Sequence, residues 1–426
     1  MATIKPFGAM RFTGKAGDMA QLVCPPYDII SDEERRAYLA ANSYNIIRLE
    51  LPREGAEPYA AAGATLRGWL DEGLLACDAK DAVYIYEEEF DVFGQTKRLK
   101  GLVCRVGLEP FENGVVLPHE ETLSKAKTDR FNLMCATGCN FSSIYSLYFD
   151  EDATIASRVE ALSAGKPDVS FTTAADGIRH SVWIVTDPAE VEALKKAFGD
   201  KKLYIADGHH RYETALNYQK HLRETGVNTQ PDHPANDVMM TLVSVSHPGL
   251  VVFPTHRVVR GLDGFDAGRL LDACARYFDV ESCGKEEAQE KLDAAAGAGR
   301  KAFALYAGGA MSLLTLRDQS VMEGMLPSYS DAYRALDVSV LHTLVLERLL
   351  GIDKENMANQ KNLTYTRDAG EAITAVDAGD ADCAFLINPT RVDEIAAVAG
   401  AGEKMPQKST YFYPKLITGH IMNKIL

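Results

Sequence analysis

The 426-residue chain is 46% apolar and 25% charged, with a formal net charge of −15 at pH 7. These are ordinary globular proportions and exclude a largely disordered chain. The acidic balance disfavours a nucleic-acid partner, because affinity for a phosphate backbone needs clustered Lys and Arg. No apolar run approaches the roughly 18–20 residues that span a bilayer, so no membrane association is expected.

The N-terminus, Met1-Ala-Thr-Ile-Lys-Pro-Phe7, has no apolar signal core, and the eight cysteines form no Cys-x-x-Cys pair. Cys135 and Cys139 lie four apart with no second pair at zinc spacing. Reduced, mostly buried thiols in a cytoplasmic protein are the expectation. In chain order, helices are predicted over 32–41 and 59–72, the latter ended by Gly73. Two strands, 83–90 and 99–106, flank a turn at Phe93-Gly94. The basic run Lys97, Arg98, Lys100 and Arg105 reads as a solvated strand edge. Ala164-Gly-Lys-Pro-Asp168 marks a domain boundary, followed by a hairpin over 169–173 and 180–186. Asp187 caps the next helix, with Pro188 in its first position, Glu190 three residues after the cap and Gly199 at its end. Val191, Leu194 and Phe198 form its apolar stripe. A short strand, 203–206, then runs into another helix. Strands 238–246 and 250–253 flank the turn His247-Pro-Gly249.

Helices over 271–277 and 286–295 and strands 302–306 and 312–316 read as a smaller insert. Beyond it, Val338, Leu341, Leu344, Val345 and Leu349 give a helix. A strand at 383–387 and a helix at 391–399 capped by Thr390 follow. The whole is mixed α/β (α+β) and multi-domain. The boundaries are an N-terminal domain over 1–165, a central module over 166–261, an insert over 262–330, and a C-terminal segment over 331–426 that packs back on the core.

Chemistry concentrates in Leu203-Tyr-Ile-Ala-Asp-Gly-His-His-Arg211. A strand entering a helix through Gly208 makes an anion site, because first-turn N–H groups lack internal partners and the helix dipole is positive there. Gly208 permits close backbone approach, His209 and His210 add donors, and Arg211 offers a fork that matches phosphate. Asp207 can cap the helix, hold a metal or contact a sugar hydroxyl. The plain alternative is a capped helix whose first-turn polar residues are solvated. Metal binding by His209 and His210 together is disfavoured, since adjacent helical residues point about 100° apart.

Asp207-Gly-His-His-Arg-Tyr-Glu-Thr-Ala215 resembles the phosphate-binding turn of the ParB/sulfiredoxin-like fold, and more closely the Asp-Gly-His-Thr-Arg turn of the archaeal free-serine kinase family. This likeness covers residues 180–222. It implies a central nucleotide-binding module. His209 stands where sulfiredoxins carry their reactive cysteine, so reductase chemistry is not expected. End to end, the chain resembles a large bacterial and archaeal family defined by a domain of unknown function. The residues that carry this are Lys5-Pro-Phe7, Pro25-Pro-Tyr-Asp28, His119-Glu-Glu-Thr122 with Lys127-Thr-Asp-Arg130, Ala206 to Arg211, Thr255-His-Arg257, and Met405 to Lys415.

Among the other segments, Glu120 is the candidate base for a substrate hydroxyl, with Lys127 and Arg130 reaching phosphates. His119, Tyr27, Asp28, His256, Arg257 and Lys408 are candidate substrate contacts, and Asp207 and His210 join Glu120 in the catalytic set. Solvated loops and a rigid Pro-Pro turn are the alternatives for these residues, and Tyr411 to Tyr413 are expected to anchor their segment in a sheet. The leading expectation is an ATP- or ADP-dependent phosphotransferase with Mg²⁺, acting on the hydroxyl of a small molecule such as free serine. The alternative is a nucleotide-responsive regulatory protein with little or no turnover. Homo-oligomerisation stays open.

Overall fold

A computed structural model of the chain describes residues 1–122 and 124–426. The chain divides into two compact units. The first comprises Met1–Pro118, Thr122–Leu250 and Pro414–Leu426, and the second His119–Glu121 with Val251–Tyr413. The architecture is mixed α/β in both.

The first unit is built on nine strands among the described residues. They are β1 (Ile4–Lys5), β2 (Val83–Val92), β3 (Gln95–Gly107), β4 (Val116–Leu117), β5 (Ile144–Tyr148), β6 (Val169–Thr172), β7 (Arg179–Val185), β8 (Leu203–Asp207) and β9 (Asp237–Ser244). Their order across the sheet is β4-β8-β5-β9-β3-β2-β7-β6, with β1 added beside β3. Pairing is antiparallel except for β8 with β4 and β9 with β5. The β2–β3 hairpin turns at Phe93-Gly94, where Val92 pairs with Gln95 and both turn residues take positive φ, the conformation a tight hairpin requires.

The helices are α1 (Asp32–Ala41), α2 (Pro58–Asp71), α3 (Ser124–Thr137), α4 (Thr154–Leu162), α5 (Pro188–Phe198) and α6 (His209–Glu224). Helix α1 starts in a capping box between Ser31 and Glu34. In α5, Asp187 accepts from the Ala189 N–H, and Glu190 pairs with Arg158 rather than closing a box. Its stripe Val191, Leu194 and Phe198 is buried against Val83, Leu102, Met240 and Ile205 in one core. Full burial of each such side chain is worth ~1.5–3 kcal/mol. Helices α2 and α3 contribute Leu66, Trp69 and Leu133 to a separate apolar cluster with Met10 and Met422.

One local expectation changes. The run from Lys97 to Arg105 lies on β3, which is flanked by β2 and β9 and is not an edge. Part of it is buried: Lys100 is 9% exposed and pairs with Glu160 and Glu87, while Arg98, on the same face but two residues nearer the hairpin turn, lies outside on Glu89. The strands around His247-Pro-Gly249 do not pair with each other. β9 joins the large sheet, and Val251–Phe253 (β10) pairs with Tyr411–Tyr413.

In the second unit, β11 (His256–Val259), β12 (Phe278–Cys283), β13 (Ala302–Ala307), β14 (Ala310–Leu316), β15 (Leu363–Thr366) and β16 (Cys383–Leu386) form one antiparallel sheet, in the order β12-β14-β13-β16-β11-β15. Strands on both sides of residue 330 thus share this sheet. Helices α7 (Ala288–Gly297) and α8 (Ala369–Asp377) lie against it, burying Leu292 and Ala372 beside Ala304 and Ala384. β10 pairs with β17 (Tyr411–Tyr413), which gives the aromatic segment the sheet anchorage expected of it. The apolar helix around Leu341 is α-helical over Asp337–Val340 and π-helical over Leu341–Glu347. Thr390 gives its hydroxyl to the Ser409 carbonyl, so Arg391 rather than Thr390 precedes α9 (Val392–Gly400).

All eight cysteines are free thiols, five of them buried. Among the described residues no helix is long and apolar enough to cross a membrane.

A buried polar group runs across β2 and β7, where Glu88 lies directly opposite His180. The Tyr86 hydroxyl donates to Glu88 Oε1 at 2.8 Å and sits 2.7 Å from His180 Nδ1. Burial drives the Glu88 carboxyl up to about 8 and brings His180 down to about 4. Glu88 is therefore protonated at neutral pH in the folded chain and ionised in the unfolded one. The Glu88 contribution is largest at the acidic end and falls as pH rises toward 8; His180, neutral when folded, opposes that fall below its ordinary value of 6.5, so the net fall lies between about pH 6.5 and 8. Urea titrations from pH 6.5 to 8 should show this fall, at no more than ~1.4 kcal/mol per pH unit. Glu88→Gln should flatten it, and an unchanged slope in that variant would refute the protonated state.

Candidate functional site

Strand β8 ends in a register shift between Ile205 and Asp207, where it pairs with β5. Such a bulge re-aims the side chains beside it. Gly208 follows at φ 96°, ψ 27° and precedes α6, whose first internal bond is Tyr212 N–H to the Gly208 carbonyl at 3.0 Å. Gly208, at the cap position, has no side chain with which to close this first turn. Two constraints select glycine. Its φ is strained for any L side chain, and a Cβ would lie 2.8 Å from Arg211 Nε. The guanidinium packs where a side chain would otherwise stand.

Around that glycine, Asp207 carries two cations. Its Oδ1 accepts from Lys415 Nζ at 2.6 Å and its Oδ2 from Arg211 Nη2 at 2.7 Å. Arg211 Nη1 donates to the Ser143 carbonyl at 2.6 Å. The three side chains are only 12–18% exposed. Burial alone would raise the Asp207 carboxyl, but Lys415 and Arg211 outweigh it and hold the group well below the usual carboxylate range. The sequence suggested an Arg211 in an exposed turn. Instead it bridges two strand ends, because the glycine lets it fold back.

A second cation lies behind the turn. Arg130, buried, stacks on the Tyr27 ring at 4.0 Å, donates to the Glu50 carbonyl at 2.8 Å, and binds Asp129 through Nε and Nη2 at 2.8 and 2.6 Å. The Tyr59 hydroxyl holds Asp129 from α2 at 2.9 Å. Glu50 is 3% exposed; burial raises its carboxyl against the pull of Arg130 and Arg211. Glu50, Arg130, Ser142, Arg211 and Thr214 line a space of about 40 Å³, room for a single water.

On the helix face, Lys127 Nζ and Thr122 Oγ1 converge on Glu213 Oε2 at 2.7 and 2.8 Å, fastening the start of α3 to α6. Burial lowers the His210 imidazole; Asp28 and Glu213 pull it up again, while Lys127 and Arg211 push it down. His210 is thus half-buried, with opposed charges acting on it. His209 is buried and contributes to the field that depresses Asp207.

The first unit therefore gathers Tyr27, Asp28, Lys127, Arg130, Asp207, Gly208, His209, His210 and Arg211. His119, Glu120, His256, Arg257 and Lys408 belong to the second unit. There, His119 Nε2 lies 2.9 Å from Thr410 Oγ1, and Glu120 is half-buried. His256 Nδ1 accepts the Ile387 N–H at 3.2 Å. Arg257 is fully buried and commits all three nitrogens: Nη1 to the Thr255 carbonyl, Nη2 to the Lys408 carbonyl at 3.1 Å, and Nε to His342 Nε2 at 3.2 Å. Burial brings its pKa down to about 10. It acts as a pin for the 407–408 segment, whereas the sequence suggested a substrate contact. Lys408 is exposed, at φ 56°.

Sequence reasoning did not single out Glu50, Ser143 or Glu213. Only Glu213, one turn along α6 from His209, carried a signal, through i, i+4 spacing. Lys415 stood in a segment chosen for its aromatics, with nothing local to tie it to Asp207. Among the described residues no group of three or more His, Cys, Asp or Glu side chains is placed to hold a metal ion.

The model of one protein family, described as "Protein of unknown function (DUF1015)", matches residues 4–339. The chain belongs to this family. No curated protein matches this DUF1015 chain. Among solved structures it is similar to a conserved hypothetical protein from Pyrococcus furiosus, at 13% identity and TM-score 0.35, over 76% of this chain and 95% of that one. It is also similar to a variant of a free serine kinase in complex with AMP, at 12% identity and TM-score 0.38, over 76% and 91%. A third is SbnI with a C-terminal truncation from Staphylococcus aureus, at 10% identity and TM-score 0.36, over 75% and 86%. At these TM-scores the likenesses carry no argument about the site.

Removing one partner of a buried ion pair leaves the other charge uncompensated, at a cost of ~3–5 kcal/mol when burial is complete. With the residual exposure of Asp207, Arg211→Ala should lower unfolding free energy by about 2–4 kcal/mol. Arg211→Lys should recover only part of it, since a point charge cannot serve Asp207 and the Ser143 carbonyl together. Urea denaturation measures both, and a loss below about 0.5 kcal/mol in Arg211→Ala would show that the bridge is not structural.

Proposed function

We propose that the turn from Asp207 to Arg211 binds the phosphates of a nucleotide, ATP or ADP, and that the protein is a phosphotransferase acting on the hydroxyl of a small molecule such as free serine. One observation carries this reading: a bulged strand end and a glycine at φ 96° open a sixteen-residue helix, and His210 in its first turn feels the charges of Lys127, Arg211, Asp28 and Glu213. First-turn N–H groups, the helix dipole and a titratable imidazole suit an anion whose charge varies with pH. The Asp-Gly-His-His-Arg turn also resembles that of ParB/sulfiredoxin-like nucleotide-binding proteins. Among solved structures of low similarity, the free serine kinases are in complex with AMP or ADP. That agrees with the choice of nucleotide without arguing for it.

Within this reading, Asp207 organises the turn and does not ligate a metal. Both its oxygens already accept from cations, so a Mg²⁺ there would have to displace Lys415 or Arg211. Asp28, exposed and close enough for His210 to feel its charge, is the carboxylate that fits a phosphate-bound Mg²⁺. When bound, the metal would neutralise phosphate oxygens. Lys127, partly exposed and positioned by Glu213, is the cation proposed for the phosphates. Tyr27, held by Arg130, offers a ring for stacking. A nucleotide-responsive regulatory protein with little turnover is the second reading, favoured by the near balance of cations and carboxylates around His210.

Thermal-shift titration with ATP and ADP in Mg²⁺ tests binding; at a hundredfold excess over Kd the stabilisation should be ~2.7 kcal/mol. His210 is kept neutral by burial, and a phosphate beside it would favour the imidazolium. Nucleotide affinity should therefore strengthen as pH falls from 8 to 5.5, and His210→Ala should lose that dependence. Phosphate transfer to free amino acids separates the two readings: saturable binding with no transfer supports regulation. No stabilisation by either nucleotide at any pH would refute the site.

A further inference from the structure

The second unit contains a cavity of about 400 Å³ that the nucleotide reading does not use. Small-molecule sites generally measure ~300–1,000 Å³. Its floor is the π-helical segment Leu341–Glu347 and the residues just before it, which supply Ser339, His342, Thr343 and Glu347. A π-helix costs packing and hydrogen-bond geometry relative to an α-helix, and where it persists it is often at a functional site.

The cavity's chemistry is specific. Tyr329 and Tyr333 stack with ring centroids 4.1 Å apart, and Lys354 Nζ already sits over Tyr329 at 5.7 Å. Met325, Met357 and Met405 give a soft, adaptable wall. Glu121, Glu347 and Glu355 outnumber Lys354 and Lys404. Ser339 is 1% exposed, and its Oγ has no hydrogen-bond partner of good geometry among the described residues, with the Tyr333 phenol beside it. His342 accepts from Arg257 through Nε2, so its Nδ1 carries the proton and donates. Burial raises the Glu347 carboxyl, and Lys354 offsets it only in part.

We infer that this cavity is a binding site for a small organic cation, a primary amine on a flat apolar body, with the ammonium at Glu347, the body against Tyr329, Tyr333 and the methionines, and a polar group of the ligand meeting Ser339 Oγ and His342 Nδ1. The tyrosine faces and the excess of carboxylates both favour positive charge. The buried hydroxyl and the imidazole N–H supply the orienting polar contacts that an apolar cavity alone lacks. The inference does not depend on the phosphate site, whose residues lie in the other unit.

Titration calorimetry on the full chain tests it, with three probes that share one body: tyramine, neutral 4-ethylphenol and the anion 3-(4-hydroxyphenyl)propanoate. Tyramine should bind saturably and about tenfold or more tighter than 4-ethylphenol, with the anion weakest. Glu347→Gln should remove that preference while leaving the far-UV spectrum and the nucleotide response unchanged. Tyr329→Leu, on a half-buried residue, should weaken tyramine and 4-ethylphenol together. Equal affinity for amine and neutral phenol, a preference for the anion, or no binding by any of the three would overturn the inference.

Discussion

A carboxylate at the end of a central strand has to be neutralised, and the first unit depends on how that is done. Asp207 lies between Arg211, one helical turn away, and Lys415, 208 residues later in the chain. An uncompensated buried charge is costly enough to drive its own protonation. Two cations and the Ser143 carbonyl turn that liability into a clamp on four segments: the end of β8, the first turn of α6, the residue before β5, and the C-terminal stretch Pro414–Leu426. Gly208 is what makes the clamp fit, since the guanidinium occupies the volume a side chain would need.

The same logic of paired burial organises the rest of the candidate site. Arg130 is held by Glu50, Asp129 and the face of Tyr27, and Lys127 by Glu213. Each cation that a phosphate could use is thus already positioned by a carboxylate. Preorganised charges need little rearrangement when a ligand arrives, which suits recognition of a transferring phosphoryl group. His210 is the group whose charge this balance leaves adjustable, because burial and neighbouring carboxylates pull its pKa in opposite directions.

In the second unit one buried arginine has a comparable role with different partners. Among the described residues Arg257 has no carboxylate partner. It is satisfied by main-chain carbonyls, by His342 and by the Tyr365 ring 5.5 Å away. By donating to His342 it fixes the tautomer of a residue that lines the 400 Å³ cavity. Here too a charge inside the fold sets the hydrogen-bonding character of a wall beside it.

Periodicity and local chemistry were enough to place most elements. The hairpin at Phe93-Gly94, the Asp187 cap with the Val191, Leu194 and Phe198 stripe, and the strand–glycine–helix at 203–224 all follow from interactions within a few residues. The turn from Asp207 to Arg211 was legible for the same reason: its glycine and its charges are contiguous. What the sequence could not show is which distant groups meet those charges. Nothing local ties Lys415 to Asp207, Glu50 to Arg130, or His342 to Arg257, and a basic run such as Lys97 to Arg105 looks the same on an edge strand as on a central one. Lys100 is buried because β9 and β2 both pair with β3. Strand order and long-range ion pairing arise from packing over hundreds of residues, so only the tertiary structure decided which arginines are free to meet a ligand and which hold the fold together.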